Sequence, residues 1–324
     1  MIEDISLIIP CQDAEVNLLK LFSNFSNWEV IPNEVIVIDS SKNKLLNKKD
    51  LDFFATNLNI KLKIISGKGF FPGHARNIGI DHSTNSLLAF LDTSTYPNNK
   101  WLASGIKIID SKNSQGVWGN TYYFANKFTS KIIRACTYGT KPIRTFPGSI
   151  LAKDIFNKCG LFVEDARAGE DGDWMTRAEL QKIDISLPEE YLTYNDLNHT
   201  STLKIIKKWF RNYSFAAKFP FYRAHRDIYY YFSSLIAVII AFNWNWILAA
   251  WDTESIFYIP NITKISILSI LISYIFIRGI LIPFKKGVKL NFIFPINLIF
   301  ITMLSIALDA TKIFAFIYAK FENK

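Results

Sequence analysis

The sequence predicts an α/β domain built on a parallel sheet, continued by an all-α region of membrane type. Three observations carry that expectation. Four short β-type runs recur early, their ends 29, 27 and 26 residues apart, the length of a strand, a crossover helix and a loop. Long uncharged stretches follow from residue 228 onward. Between the two lies a segment, residues 200–226, with seven Lys/Arg and no acid.

The four runs are Ile5–Pro10, Glu34–Asp39, Lys61–Ser66 and Leu87–Asp92. Near-continuous apolar strands such as Val35-Ile36-Val37-Ile38 suit a parallel sheet covered on both faces. Helical segments fit between them, over Glu15–Phe22 and after His74. Further on, Pro147-Gly148-Ser149 precedes another strand-like run, and Gly169-Glu170-Asp171-Gly172-Asp173-Trp174 leads into a helical pattern over Met175–Lys182. In the basic segment Leu203, Ile206, Phe210, Tyr213 and Ala217 recur at helical spacing, with Lys204, Lys207, Lys208 and Arg211 largely off that stripe. This is the pattern of a helix lying in the headgroup plane of an anionic leaflet, with an ordinary surface helix as the alternative.

Three transmembrane helices are expected, over 228–251, 262–284 and 290–311. The first holds 24 residues without a charge, about 36 Å as helix and enough to cross a bilayer. The second carries Arg278, placed to snorkel, and the third opens on 19 uncharged residues, Leu290–Leu308. A buried core helix is the alternative for each. The expected organisation is a front domain over 1–200, a basic amphipathic helix region over 201–227 and a membrane domain over 228–324. Asp252 and Glu254 lie between the first two spans, and Lys285, Lys286 and Lys289 between the last two. The positive-inside rule then puts the front domain in the cytoplasm and the C-terminus outside.

Apolar residues make up 50% of the chain and aromatics 15%. Their concentration toward the C-terminus excludes one uniform globular domain. Lys+Arg 37 against Asp+Glu 28 gives a net charge of +9, which suits anionic lipid, phosphorylated ligands or nucleic acid. Because the charge adjoins an expected span, membrane lipid is the expected partner and nucleic acid is not. Cys11, Cys136 and Cys159 show no metal or redox spacing, so a reducing compartment without disulfides is expected. Met1–Ile5 carries two acids, and Pro10 cuts the first apolar run, so no signal peptide is expected.

Ligands of open parallel sheets bind beyond the carboxyl ends of the strands. Two of the four runs end on an acid there, Asp39 and Asp92, and the third enters Gly67-Lys68-Gly69-Phe70-Phe71-Pro72-Gly73 before His74-Ala75-Arg76-Asn77. A glycine-containing loop before a helix with an arginine in its first turn suits a phosphate-bearing ligand. Taken singly, a strand-terminal Asp is also a turn former or cap. Acids in the first turn of the Glu170-Asp171 helix fit either a plain N-cap or a carboxylate that takes a proton from a hydroxyl. A lone His199 has a structural reading beside a ligand one.

These residues, in this order, resemble a family 2 glycosyltransferase with the GT-A fold, over about residues 4–200. The resemblance rests on Ile8-Ile9-Pro10-Cys11, Val37-Ile38-Asp39-Ser40-Ser41, Gly73 with Ala75-Arg76-Asn77-Ile78-Gly79, Phe90-Leu91-Asp92, and Gly169-Glu170-Asp171 with Arg177. It implies a GT-A-type, Rossmann-like nucleotide-sugar domain ahead of the membrane helices. Pro10, Cys11, Asp39, Arg76, Asn77, Asp92 and Thr93 would bind the nucleotide sugar. Asp171 would be the general base of an inverting transfer. Gly148, Ser149, Glu170, Trp174 and Arg177 would border acceptor and sugar, and Asp92 with His199 would hold a divalent metal, Mg²⁺ or Mn²⁺.

The family's Asp-x-Asp motif reads Asp92-Thr93-Ser94 here, and a hydroxyl is a weak ligand for such an ion. Three possibilities follow: a metal held by Asp92, the diphosphate and His199; Lys/Arg in its place; or binding without turnover. The Gln-x-x-Arg-Trp signature of processive synthases is absent, which points to transfer of a single sugar. By resemblance the donor is a UDP-sugar. The membrane tail points to a lipid-linked glycan or glycolipid as acceptor, in a cell-envelope polysaccharide setting at a bacterial inner membrane. A polyprenyl-phosphate acceptor and a catalytically impaired scaffold are the alternatives.

Overall fold

The computed structural model of the chain describes residues 2–42, 46–219 and 223–322. It forms two compact units: Met1–Lys127 with Lys141–Thr200, and Phe128–Thr140 with Ser201–Lys324. In chain order the elements begin β1 (Ile2–Cys11), α1 (Glu15–Asn24), β2 (Ile31–Asp39), α2 (Lys48–Asn57), β3 (Lys61–Ser66), α3 (Pro72–His82), β4 (Leu87–Phe90), β5 (Thr95–Tyr96), α4 (Trp101–Lys112) and β6 (Gly116–Tyr123). Then follow α5 (Phe128–Cys136), which belongs to the second unit, β7 (Ile143–Ala152), α6 (Ile155–Cys159), α7 (Glu170–Leu180), β8 (Ile185–Ser186) and β9 (Leu192–Tyr194).

The front unit holds one mixed sheet in the order β3-β2-β1-β4-β7-β6-β9-β5, with β8 beside β6. Strands β3, β2, β1 and β4 are parallel, and β7 returns antiparallel against both β4 and β6. The alternation of β1 divides the core. Ile5, Leu7 and Ile9 pack with Leu18, Phe22 and Phe25 on one face, while Ile8 packs on the other with Phe90, Phe146, Phe156 and Trp174. Both faces are therefore covered, as continuous apolar strands require. Helix α3 lies so close to β1 that a Cβ at Gly79 would collide with Ile8.

Three details place the site. Cys11 and Asp39 are direct partners at the carboxyl ends of β1 and β2. Strand β4 ends at Phe90, although the Leu91 amide still donates to the Ile8 carbonyl (3.1 Å) and carries the chain on to Asp92. Helix α7 begins at Glu170, earlier than the apolar pattern suggested, so Glu170, Asp171 and Asp173 all fall in its first turn, where the helix dipole favours carboxylates.

The second unit comprises α5 with α8 (Thr202–Ala216), α9 (Arg223–Phe242), α10 (Trp244–Ala249), α11 (Ile262–Tyr274), a π-helical segment Ile275–Leu281, α12 (Ile282–Lys285), α13 (Leu290–Ile293) and α14 (Asn297–Glu322). Among the described residues two helical stretches are long and apolar enough to cross a membrane, Ile262–Lys285 and Asn297–Phe321. The expected 228–251 span is not one helix. α9 stops at Phe242, where the Asn243 side chain bonds back to the Ile239 carbonyl (2.8 Å), and Asn245 is clamped to both backbone groups of Ile259. α9 itself runs over 20 residues, Arg223–Phe242, about 30 Å of helix. The third expected span starts late. Pro295 lacks an amide proton and disfavours helix at Phe294, so α14 begins only at Asn297.

Helix α8 forms within the expected segment, capped by Ser201 accepting from the Lys204 amide (3.3 Å). Helix α8 lies along α14, and only part of the stripe read from spacing faces it. Ile205, Ser214 and Ala216 are buried, whereas Leu203 is 71% exposed. Phe210 meets the Tyr318 ring, and Lys312 sits 5.0 Å above the Tyr213 ring.

Candidate active site

Arg76, in the first turn and a half of α3, is buried and joins two distant acids. Its Nη2 donates to Asp92 Oδ1 (3.1 Å) and its Nη1 to Glu170 Oε1 (2.9 Å). The guanidinium also lies over the rings of Phe146 (5.3 Å) and Phe162 (5.6 Å), which hold it in one plane. Burial opposes its charge, but Asp92, Glu170 and Asp171 outweigh that and keep it protonated. One cation thus ties the residues after β4 to the start of α7, Arg76 and Glu170 being 94 residues apart in sequence.

The acids around it differ in environment. Glu170 is buried, and one of its oxygens, Oε2, has no hydrogen-bond partner. Burial and the neighbouring Asp171 push its carboxyl up from 4.5 to about 7, partly offset by Arg76. Asp92 keeps 40% of its side chain exposed, and Asp171 is half-buried. Asp171 Oδ1 accepts the Gly172 amide (2.7 Å), which fixes the carboxylate at the helix start. The arrangement is an open-sided acidic site around a buried cation.

Other expected site residues turn out to be structural. Asn77 spends its whole amide on the 162–164 segment: Nδ2 donates to the Phe162 carbonyl and Glu164 Oε1, and Oδ1 accepts the Phe162 amide. Trp174 is fully buried among Phe146, Phe156 and Phe162, with Nε1 donating to the Gly160 carbonyl (2.9 Å), and so cannot border an acceptor. Arg177 is consumed by Asp173 (2.9 Å) and by the carbonyls of Cys159 and Leu161. Ser149 is fully buried and its hydroxyl accepts the Gly119 amide (3.0 Å). The Gly148 carbonyl accepts from Trp101 Nε1 (2.9 Å), and its φ of +94° suits only glycine. These five hold the walls.

At the strand ends, Asp39 is fully buried and each carboxylate oxygen takes a backbone amide, from Ser41 (3.0 Å) and Leu46 (2.9 Å). It therefore ties Ser41 and Leu46 to the end of β2, using two of its four acceptor positions. Cys11 is buried, its thiol pushed up to about 11 by that burial, and its carbonyl accepts from the Ser40 amide and hydroxyl. Pro10 and Thr93 are only partly buried at the same edge. His199 is exposed, in a 3₁₀ turn after β9, a strand that pairs with the residues following Ser94.

Arg167 was missed by motif reading. Its Nη2 donates to Gln12 Oε1 (3.0 Å), immediately after β1, and it lies 6.0 Å from the Phe71 ring at the start of α3. A cation two residues ahead of Gly169-Glu170 was the available signal. A groove of about 880 Å³ opens elsewhere in this unit, at the amino end of β4, and is lined by Asn77, Asn85, Lys153 and Phe156 but by none of the acids above.

Among the described residues no group of three His, Cys, Asp or Glu side chains is placed to cage a metal. The donor set fits a weaker arrangement. Asp92 Oδ1 is taken by Arg76, and Ser94 replaces the second carboxylate. What fits is an ion of the Mg²⁺ type held mainly by substrate phosphates with one protein carboxylate, an arrangement such ions commonly adopt.

The parallel half-sheet, its antiparallel return through β7 and the acids at its edge define a GT-A-type domain. Residues 6–162 match the sequence model of "Glycosyl transferase family 2". Glycosyltransferase AglE of Haloferax volcanii is 24% identical over 187 residues, which is 54% of this chain and 60% of the relative, so the match spans less than two thirds of AglE. Among solved structures, the mannosyltransferase PcManGT of Pyrobaculum calidifontis, in complex with GDP-Man and Mn²⁺, shares the fold with a TM-score of 0.54 at 13% identity, covering 95% of this chain and 86% of that one. TarS 1-349 of S. aureus, in complex with UDP-GlcNAc, aligns with a TM-score of 0.46 at 16% identity, covering 99% and 91% of the two chains.

Proposed function

We propose that the protein is a membrane-anchored, inverting glycosyltransferase that moves one sugar from a nucleotide sugar to a hydroxyl of a lipid-linked glycan or glycolipid. One observation carries the reading: Arg76 gathers Asp92, Glu170 and Asp171 at the carboxyl edge of the sheet, where a family 2 domain needs its donor and its base. The acceptor oxygen attacks the anomeric carbon in line. The bond from that carbon to the diphosphate breaks, its electron pair leaves with the nucleoside diphosphate, and the hydroxyl proton passes to Asp171.

Arg76 and Glu170 position rather than react. Arg76 fixes Asp92 at the donor edge, and Glu170 anchors the first turn that presents Asp171. A divalent cation bound by Asp92 and the diphosphate would neutralise the departing charge, a role Arg167 at the same strand end also suits. The membrane assignment is supported by the Ile262–Lys285 stretch, whose apolar 18-residue window is only 11% buried. Water would not tolerate that surface. The positive-inside rule favours the cytoplasmic side for the Lys-bearing loop 285–289.

The test is nucleoside diphosphate release by detergent-purified protein given UDP-, GDP- and dTDP-sugars with native lipid extract, in Mn²⁺ or EDTA. Release that needs lipid and is lost in Asp171→Asn is expected. Undiminished release in that variant would indicate an anionic acceptor such as a polyprenyl phosphate, which needs no base. Tight nucleotide binding without release from any donor would identify a scaffold.

A further inference from the structure

We infer that Arg167, oriented by Gln12, binds the diphosphate of the nucleotide-sugar donor and gives the site an affinity for that donor which does not depend on a divalent ion. Ser94 offers only a hydroxyl two residues after Asp92, a weak ligand for such an ion, and Asp92 Oδ1 is already engaged by Arg76 (3.1 Å). A diphosphate that departs with an electron pair still needs compensating charge. Fixed cationic donors supply it as an ion does.

The strand positions put this guanidinium on the donor side. β1 lies beside β4 with Ile8 opposite Phe90, and the Leu91 amide continues the pairing to the Ile8 carbonyl (3.1 Å). Gln12 and Asp92 therefore leave neighbouring strands, about 4.8 Å apart, at one edge of the sheet. Arg167 Nη2 donates to Gln12 Oε1 (3.0 Å), and the guanidinium stands 6.0 Å from the ring of Phe71, which opens α3, the helix of Arg76. Two residues further on, Gly169 caps α7 ahead of Glu170 and Asp171. Arg167 thus stands where the end of β1 and the starts of α3 and α7 meet.

Its contacts orient it without neutralising it. Arg76 is held by Asp92 and Glu170, and Arg177 by Asp173 and two carbonyls. Arg167 is half-buried and makes no ion pair among the described residues; its hydrogen bond goes to a neutral amide. That bond uses one of the five N–H donors of a guanidinium and leaves a planar fork, the geometry that takes two phosphate oxygens at once. A carboxylate at residue 12 would fix the fork equally well but would compete with the ligand for its charge.

This inference rests on the transferase reading of the preceding section, and a binding experiment without turnover separates the two. UDP, GDP and dTDP and their monophosphates are titrated by calorimetry into the detergent-purified full chain in EDTA. The parent protein should bind one diphosphate at least about tenfold more tightly than the matching monophosphate. Arg167→Gln should abolish that preference while monophosphate affinity and melting temperature stay unchanged. Gln12→Glu, which occupies the fork without altering Arg167, should reduce it too and keeps the test open if Arg167→Gln does not fold. A folded Arg167→Gln or Gln12→Glu with the parent's preference would overturn the inference, and so would equal loss of both nucleotides in Arg167→Gln, the mark of a merely structural residue. A parent protein that prefers the diphosphate only once Mg²⁺ is added would overturn it as well, assigning the charge to the ion. Failure of the parent protein to bind any of these nucleotides, in EDTA or in Mg²⁺, would instead defeat the transferase reading.

Discussion

Arg76 in the front unit and Arg278 in the helical unit are both withdrawn from water onto a carboxylate, and the contrast between them separates a site from a strut. Arg278, in the π-helical segment, meets Asp309 of α14 through two parallel bonds (2.7 and 2.8 Å). Tyr274 donates to the same carboxylate (2.9 Å), and Lys312 stands 3.9 Å away. Both oxygens of the Asp309 carboxylate are thereby satisfied. Arg76 instead faces three acids, one of them with a buried oxygen left unpartnered and another half open to solvent. A closed pair locks two helices, whereas an open, overcharged cluster retains capacity for a ligand.

The comparison breaks most sharply at Arg76. Arg76→Met strands Glu170 and should cost about 3 kcal/mol of stability, the low end for removing one partner of a buried pair, because Glu170 can take up a proton instead. Denaturant unfolding of the detergent-purified protein measures it, and a loss below ~1 kcal/mol would mean the bridge is not the organiser described here. Next comes Asp171→Asn, for which turnover should fall at least about 10²-fold with the fold intact, the usual scale of general-base catalysis.

Arg278→Met should cost less, about 1–2 kcal/mol, since polar contacts between membrane helices are worth little more than that. Adding Asp309→Asn should recover part of the loss, and donor binding should not change. If nucleotide release followed Arg278 as it follows Arg76, the strut reading would fail.

The smallest effect is a pH dependence. The folded carboxyl of Glu170 titrates near 7, above its ordinary 4.5. The folded state therefore binds more protons than the unfolded state between these values, and stability falls as pH rises through that window. Glu170→Gln cannot titrate, so its melting temperature should decline less between pH 4.5 and 7 than that of the parent protein. Parallel curves would remove Glu170 from the charge balance.

Much of the front unit was legible because parallel strands buried on both faces are written as uninterrupted apolar runs, as Val35-Ile36-Val37-Ile38 is. The acids were legible too, since Asp92 and Asp171 stand where strand and helix ends place them. What motif membership could not say is which way a side chain is employed. Asn77, Trp174 and Arg177 stand beside the chemistry in sequence, yet each is consumed by the 159–164 segment. Arg167 belongs to no motif but lies at the end of β1. In the helical unit, uncharged length set the bounds 228–251 and 290–311, but α9 ends at Phe242, beside Asn243 and Asn245, and α14 starts only after Pro295, details that hydropathy does not register.

The sequence by itself determined the order of elements, the division between an α/β front and an apolar helical tail, and the residue types at the sheet edge. These follow from periodicity and local backbone preference, which act over a few residues. Only the tertiary structure decided that Arg76 bridges acids 16 and 94 residues away, that Glu170 is buried and proton-hungry, and that α8 turns Leu203 outward. Such outcomes depend on desolvation and on partners far along the chain, and both exist only once the elements have packed.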